Sequence, residues 1–435
     1  MRLRGEPGLR AAATMGLLAA TLTLAAPAPA RAIDGNDCTQ INSKDTPSEP
    51  ATDPSEPMKL LQIDEAQEIA RSLSGRAPGQ GVGVAVIDSG VRDLAQLTPA
   101  KALRPAGFST SAEEEYYHGT AVASVIAGQA FDGGTVGIAP AASIVDVKVY
   151  DADSDSDDLK RLTLDGVVAG LQEVLPDVGT GPGKVRIVNL SLSVPEDTPE
   201  LKAAIDAVTD AGGIVVASSG NRPAADAPGS TLGAYEPGED HADDVWPAGY
   251  AKSNPRVIAV GTTLAAGIED AGSPPGVLNS AIDVVVPTYG AVAYAVNGTT
   301  CSLGASSTSV AAGEVSGILA LLMSAFPDDT PDQTIARLES TTTGGSPPSE
   351  NAPDKFRGRG IVQPVNALTS PIRPRPDGTV PGSTTVEQAV QPANVPEPAP
   401  DVLADTRRHA LWWGLVGLGA LVIAALLRPV LSRRR

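Results

Sequence analysis

Ser309, His118 and Asp88 are of types, and in settings, that could together perform nucleophilic acyl transfer. Ser309 lies in Ser307-Thr308-Ser309-Val310-Ala311-Ala312-Gly313, where small residues give way to the apolar Ile318-Leu319-Ala320-Leu321-Leu322-Met323. A serine at the start of a buried helix presents its hydroxyl beside free backbone N–H groups and the positive end of the helix dipole, a setting suited to an oxyanion. Alone, the same pattern is an ordinary N-cap signal. A nucleophile there needs a base, and the base needs an orienting acid. Of the 3 histidines, His409 abuts a hydrophobic C-terminal run and His241 lies in the acidic Glu239-Asp240-His241-Ala242-Asp243-Asp244. His118 opens His118-Gly119-Thr120-Ala121-Val122-Ala123, again small residues leading into an apolar helix, so its imidazole stands at a helix start. Asp88 ends the apolar run Val82-Gly83-Val84-Ala85-Val86-Ile87 and is followed by the turn Ser89-Gly90.

The elements that must position these groups alternate between strand and helix patterns. The run into Asp88 reads as a buried parallel strand with a carboxylate at its carboxyl end, the edge where ligand sites gather in open α/β sheets. After the His118 helix, 142–149 reads as a strand and 159–175 as an amphipathic helix. A strand over 185–193, a helix over 201–211 and a strand ending at Asn221 follow, with short strands at 256–261 and 281–286. The fold class expected is α/β, a doubly wound parallel sheet with flanking helices.

These motifs resemble the active-site signatures of the subtilisin-like serine proteases. Asp88-Ser89-Gly90 matches the family's Asp-Thr/Ser-Gly, and His118-Gly119-Thr120 its His-Gly-Thr. Thr308, Ser309 and Ala311 match the serine motif, with Ser307 where the family has Gly and Gly313 where it has Pro. A register starting at Gly304-Ala305-Ser306 keeps the Gly but loses the Thr, the Ala and the downstream Val315-Ser316-Gly317. Ser309 is therefore preferred to Ser306. Val215-Val216-Ala217-Ser218-Ser219-Gly220-Asn221 resembles the strand whose Asn supplies the side-chain donor of the oxyanion hole. The resemblance implies a catalytic triad of Asp88, His118 and Ser309 with Asn221 as oxyanion donor. It also makes Ser191-Leu192-Ser193 the strand that pairs with substrate. Ser193 stands where Gly is usual, which implies small or medium residues before the cut. Trp246-Pro247-Ala248 is similarly subtilisin-like.

The net charge of −19 and pI near 4.6 disfavour binding to nucleic acid. Arg2, Arg4 and Arg10 precede an apolar run, and small residues near Ala30 and Ala32 offer a cleavage site, so 1–32 reads as a secretory signal peptide. Residues 33–78 form an N-terminal extension, 79–368 the protease domain and 369–409 a Pro-rich linker. Residues 410–427, opened by Trp412-Trp413, read as a single transmembrane helix, and 428–435 as an Arg-rich cytoplasmic tail. Export into an oxidising compartment makes the two cysteines, Cys38 and Cys301, a disulfide candidate, with two free thiols as the alternative. The acidic 151–158 departs from a Ca²⁺ loop at Ser156 and Leu162 and reads as solvated. No metal or cofactor is expected.

The whole arrangement resembles the mycosins, membrane-anchored subtilisins of type VII secretion systems. That implies an extracytoplasmic serine endopeptidase acting on polypeptide substrates beside membrane components of a secretion complex. The alternative is a weakly active or inactive scaffold for that complex, motivated by the departures at Ser307 and Gly313.

Overall fold

The computed structural model describes residues 37–43, 50–108, 116–132, 134–151, 160–222, 238–263, 276–344, 354–381 and 412. The expected signal peptide, most of the acidic loop, most of the linker, the membrane span apart from Trp412 and the tail lie outside the described residues. The chain divides into two units, Met1–Thr384 and Thr385–Arg435, and the elements below belong to the first.

The N-terminal extension contributes α1 (Glu56–Leu60) and α2 (Ile63–Ser74). There follow β1 (Gly83–Asp88), β2 (Lys101–Leu103), α3 (His118–Ala127), β3 (Ser143–Lys148), α4 (Leu164–Val174), β4 (Val185–Leu190), α5 (Pro199–Asp210), β5 (Ile214–Ser218), β6 (Val257–Thr263) and β7 (Ile282–Pro287). The chain continues through β8 (Ala291–Tyr294), β9 (Thr300–Leu303), α6 (Thr308–Ala325), α7 (Pro331–Ser340), β10 (Thr343–Gly344), β11 (Gly360–Ile361) and α8 (Pro364–Thr369).

Nine strands form one sheet in the order β10-β11-β7-β6-β5-β4-β1-β3-β2. Every pairing is parallel except β10 with β11, so the sheet is mostly parallel with one antiparallel edge. Every residue of β1, β4, β5 and β6 is buried, which explains their mainly apolar sequences, with Arg186 and Asn189 the buried polar residues inside β4. The hairpin β8–β9 forms a second sheet that the strand reading of 281–286 did not extend to. Its signal was available in Asn297-Gly298, a hairpin-type turn pair that follows the apolar run 291–296 and precedes the Thr-rich 299–303. Helix α4 begins at Leu164 rather than 159, because the Thr163 hydroxyl accepts the Gly166 N–H at 3.1 Å and caps it there.

The helix opened by Thr308 is the core of the molecule. All 18 residues of α6 are buried, and it packs on β4 to β7 and on α2 and α3. It is long and apolar enough to cross a membrane, but its complete burial makes it a core helix. A Cβ on Gly313 would sit 3.3 Å from Val122 Cγ1, and one on Gly317 only 2.9 Å from Ile138 Cβ and 3.5 Å from Ile126 Cα. These two glycines, one turn apart, let α6 approach the backbone of α3. Gly313, where the family pattern has Pro, thus faces the helix that carries His118.

Cys38 and Cys301 form a disulfide with their Cα atoms 5.0 Å apart. It ties the short 3-10 helix Cys38–Gln40 of the extension to β9 across 263 residues of sequence.

Candidate active site

Asp88 is the last residue of β1 and is fully buried. Its Oδ1 accepts three hydrogen bonds, from the Ser89 N–H at 2.7 Å, His118 Nδ1 at 2.8 Å and the Tyr150 hydroxyl at 3.0 Å. Because an ionised carboxylate only accepts, Nδ1 carries the hydrogen and Nε2 is left as the basic nitrogen. His118 begins α3 with its side chain 16% exposed, so the ring reaches the surface while Nδ1 stays inside.

The residues around the two motifs explain how they meet. The Ser89 hydroxyl accepts the Gly119 N–H at 3.0 Å, and the Thr120 hydroxyl accepts the Arg92 N–H at 2.9 Å, lacing the turn after β1 to the first turn of α3. A Cβ on Gly119 would lie 2.4 Å from the Gly90 carbonyl oxygen, so only glycine permits this approach. The buried pair Arg104–Asp146, at 2.6 Å, holds a carboxylate whose other oxygen accepts the Val91 N–H at 3.0 Å and steadies the same turn.

Ser309 lies in the first turn of α6 and is 8% exposed. Its hydroxyl donates to the Ser191 carbonyl at 3.0 Å, and the Ser191 hydroxyl donates in return to the Ser309 carbonyl at 2.7 Å. Asn189 donates to the Ser191 hydroxyl at 2.9 Å and accepts from Ser316 at 3.0 Å, so the end of β4 is bolted to α6 at Ser309 and again two turns further on. Ser307 caps the helix from an extended backbone, φ −143° and ψ 131°, a conformation any residue adopts. Glycine is therefore not needed at this position. Asn221 Oδ1 accepts both the N–H of Thr308, at 2.8 Å, and its hydroxyl, at 2.9 Å. A backbone N–H can only donate, so these bonds fix the amide with Nδ2 as its remaining donor.

The structure therefore brings Asp88 and His118 into direct contact and sets Asn221 against the residue preceding Ser309. Of the expected substrate strand, Ser191 is buried with its side chain engaged by α6, Leu192 is buried, and Ser193 is half-buried. His241 is buried elsewhere, with Nδ1 3.0 Å from an Asp244 carboxylate oxygen. Among the described residues no cluster of three or more His, Cys, Asp or Glu could hold a metal.

Two residues escaped the sequence reading. Tyr150 follows β3 and is buried, with its hydroxyl between Asp88 and His118 Nδ1, at 3.0 and 3.2 Å. No local signal marked it: its place follows from the parallel register of β1 on β3, which pairs Asp88 with Lys148 and carries the chain after β3 past the strand end. Glu314 lies one turn and a half beyond Ser309, fully buried, with neither carboxyl oxygen hydrogen-bonded among the described residues. Burial pushes its carboxyl well above the usual carboxylate range.

Comparison with known proteins places these observations. Residues 79–360 match the Subtilase family, Peptidase S8. Mycosin-1 of Mycobacterium tuberculosis (strain ATCC 25618 / H37Rv) is 33% identical over 395 residues, covering 82% of each chain. Mycosin-3 of the same organism is 28% identical over 422 residues, 89% of this chain and 86% of the relative. The solved structure of the MycP3 protease from the type VII (ESX-3) secretion system superimposes with a TM-score of 0.56 at 24% identity, covering 76% of this chain and 92% of that one, and supports the fold.

Proposed function

This chain belongs to the subtilase family and is a serine endopeptidase, and we propose that Asp88, His118 and Ser309 are its catalytic triad. The observation that carries the reading is the 2.8 Å hydrogen bond from His118 Nδ1 to a fully buried carboxylate at a strand end. Asp88 holds the imidazole in the tautomer that makes Nε2 the proton-accepting nitrogen. In the resting geometry the Ser309 proton points to the Ser191 carbonyl, so turnover begins with a rotation of the hydroxyl toward Nε2. Ser309 Oγ then attacks the scissile carbonyl as His118 takes the proton, and His118 returns it to the leaving amine. Water repeats the two steps to release the acyl group. Asn221 Nδ2 and the Ser309 N–H are the donors proposed for the oxyanion. Substrate runs along 191–193, with Ser193 limiting the residue before the cut to small or medium size.

Both departures from the family motif are compatible with activity. Ser307 has an extended backbone, and Gly313 serves the α3–α6 contact. The decisive experiment is labelling with a fluorophosphonate probe, followed by peptide hydrolysis. Wild type and Ser306→Ala should label, and Ser309→Ala should not. Loss of labelling in Ser306→Ala instead would move the nucleophile to Ser306, and a wild type that never labels would leave the scaffold reading.

We further propose that the enzyme works outside the cytoplasm, anchored by 410–427, on polypeptides handled by a type VII secretion system. Its similarity to Mycosin-1 and Mycosin-3 supports this reading. A tag placed after Arg435 should survive protease treatment of intact cells that removes the domain before Thr369, and cleavage of the tag would reverse the topology.

A further inference from the structure

A cavity of about 270 Å³ opens beside the imidazole, bounded at one edge by His118 and Ser307 and walled by Tyr117, Val122, Leu303 and Val310. The N-terminal extension adds to the wall through Asp37 and Thr39. We propose that this cavity receives the side chain of the residue that follows the scissile bond, and that Asp37 makes the enzyme favour lysine or arginine there. The inference rests on the triad assignment above.

The placement follows from the proton path. The leaving amine must collect its proton from His118, so the chain after the cut passes the imidazole. Neither 191–193 nor Asn221 lines the cavity, which sets it apart from the strand assigned to the acyl half of the substrate. The walls are mainly apolar, and among the described residues that line them Asp37 is the only carboxylate. A long aliphatic stem with a cationic head matches that combination, the stem lying on the walls and the head reaching the carboxylate.

Asp37 is held in place. It caps the 3-10 helix through its Oδ1, which accepts the Thr39 N–H at 2.9 Å, and it bridges to Ser302 of β9. The next residue, Cys38, is covalently bound to Cys301. The disulfide thus brings a charge from the extension to the rim of the cleft. Because Asp37 is exposed, its ion pair with substrate is screened, and the expected preference is only about two- to fivefold.

The test uses the detergent-solubilised full chain and peptides that differ only in the residue after the cut, Lys, Leu or Glu. Wild type should give kcat/KM for Lys about two- to fivefold above Leu, with Glu lowest. Asp37→Asn retains an N-cap acceptor but not the charge, so the Lys to Leu ratio should fall towards one. Asp37→Lys should place Glu above Lys. A wild type that cleaves these peptides without ranking Lys above Glu overturns the inference, as does a ratio unchanged in Asp37→Asn. A protein that cleaves none of them and takes no probe overturns the triad assignment, and this inference with it.

Discussion

The Ser307 hydroxyl oxygen accepts the Ser309 backbone N–H at 3.2 Å, so a proposed oxyanion donor is already engaged by the side chain that caps its helix. An oxyanion must displace that bond. A neutral hydrogen bond is worth about 0.5–1.5 kcal/mol net, which sets the cost of displacement at about two- to tenfold in rate. Ser307→Gly should therefore raise kcat by about that factor with little change in KM, and lower stability by only a few tenths of a kcal/mol, about the difference between Ser and Gly caps. A slower Ser307→Gly enzyme would show that the cap serves catalysis instead of opposing it.

Tyr150 donates to the same Asp88 oxygen as His118. Removing that donor leaves the carboxylate with more negative charge to share with an imidazolium. Tyr150→Phe should move the acid limb of the kcat/KM profile to higher pH and lower kcat about two- to tenfold, with KM nearly constant. An acid limb that stays in place would reduce Tyr150 to a packing residue.

Asn221 holds Thr308 with its oxygen and has Nδ2 available for the reaction. Asn221→Ala should cost about 10²–10³ in kcat, as loss of an oxyanion donor does in subtilisin, with KM little changed. It should also destabilise, since the Thr308 N–H loses its acceptor. If KM rises in proportion to the fall in kcat, Asn221 binds substrate instead.

Stability should fall as the solution becomes alkaline. Burial pushes Glu314 well above the usual carboxylate range. Burial, then the nearby Glu339 charge, does the same to Asp283, and burial raises Glu339 to about 7 against the pull of Arg359. Each raised group keeps its proton in the fold at pH values where the unfolded chain has lost it. The folded state therefore binds more protons above about pH 4.5, and each group removes about 1.4 kcal/mol per pH unit until it ionises in the fold. Thermal melts should show a lower Tm at pH 8 than at pH 5, with Glu314→Gln flattening that slope and melting above wild type at pH 8. A variant melting below wild type at pH 8 would place an ionised Glu314 in a satisfied site.

The bond between Cys38 and Cys301 should appear in non-reducing peptide maps as one cross-linked peptide. Reduction should lower stability by at most about 5 kcal/mol, by the chain-entropy account of a long closed loop. Reduction that leaves Tm unchanged would show that the extension stays docked without it.

Particular residues show where sequence sufficed. The positions of Asp88, His118 and Asn221 at a strand end, a helix start and a Gly-Asn turn could be read from local patterns, because each is written in a few consecutive residues. The α/β class was equally legible, since buried parallel strands read as near-continuous apolar runs, as β1, β5 and β6 do up to their last residues. The antiparallel pair β10–β11 was not, because two-residue strands carry no periodicity. Nor were Tyr150 beside Asp88, Asp37 beside His118 or Gly313 against Val122, which lie 62, 81 and 191 positions apart in the chain. The residue types alone decided what chemistry the chain could attempt. Only the packing of distant segments decided which hydroxyl orients the acid, which carboxylate borders the cleft and why a motif proline could become glycine, because those contacts depend on register and helix approach rather than on any local signal.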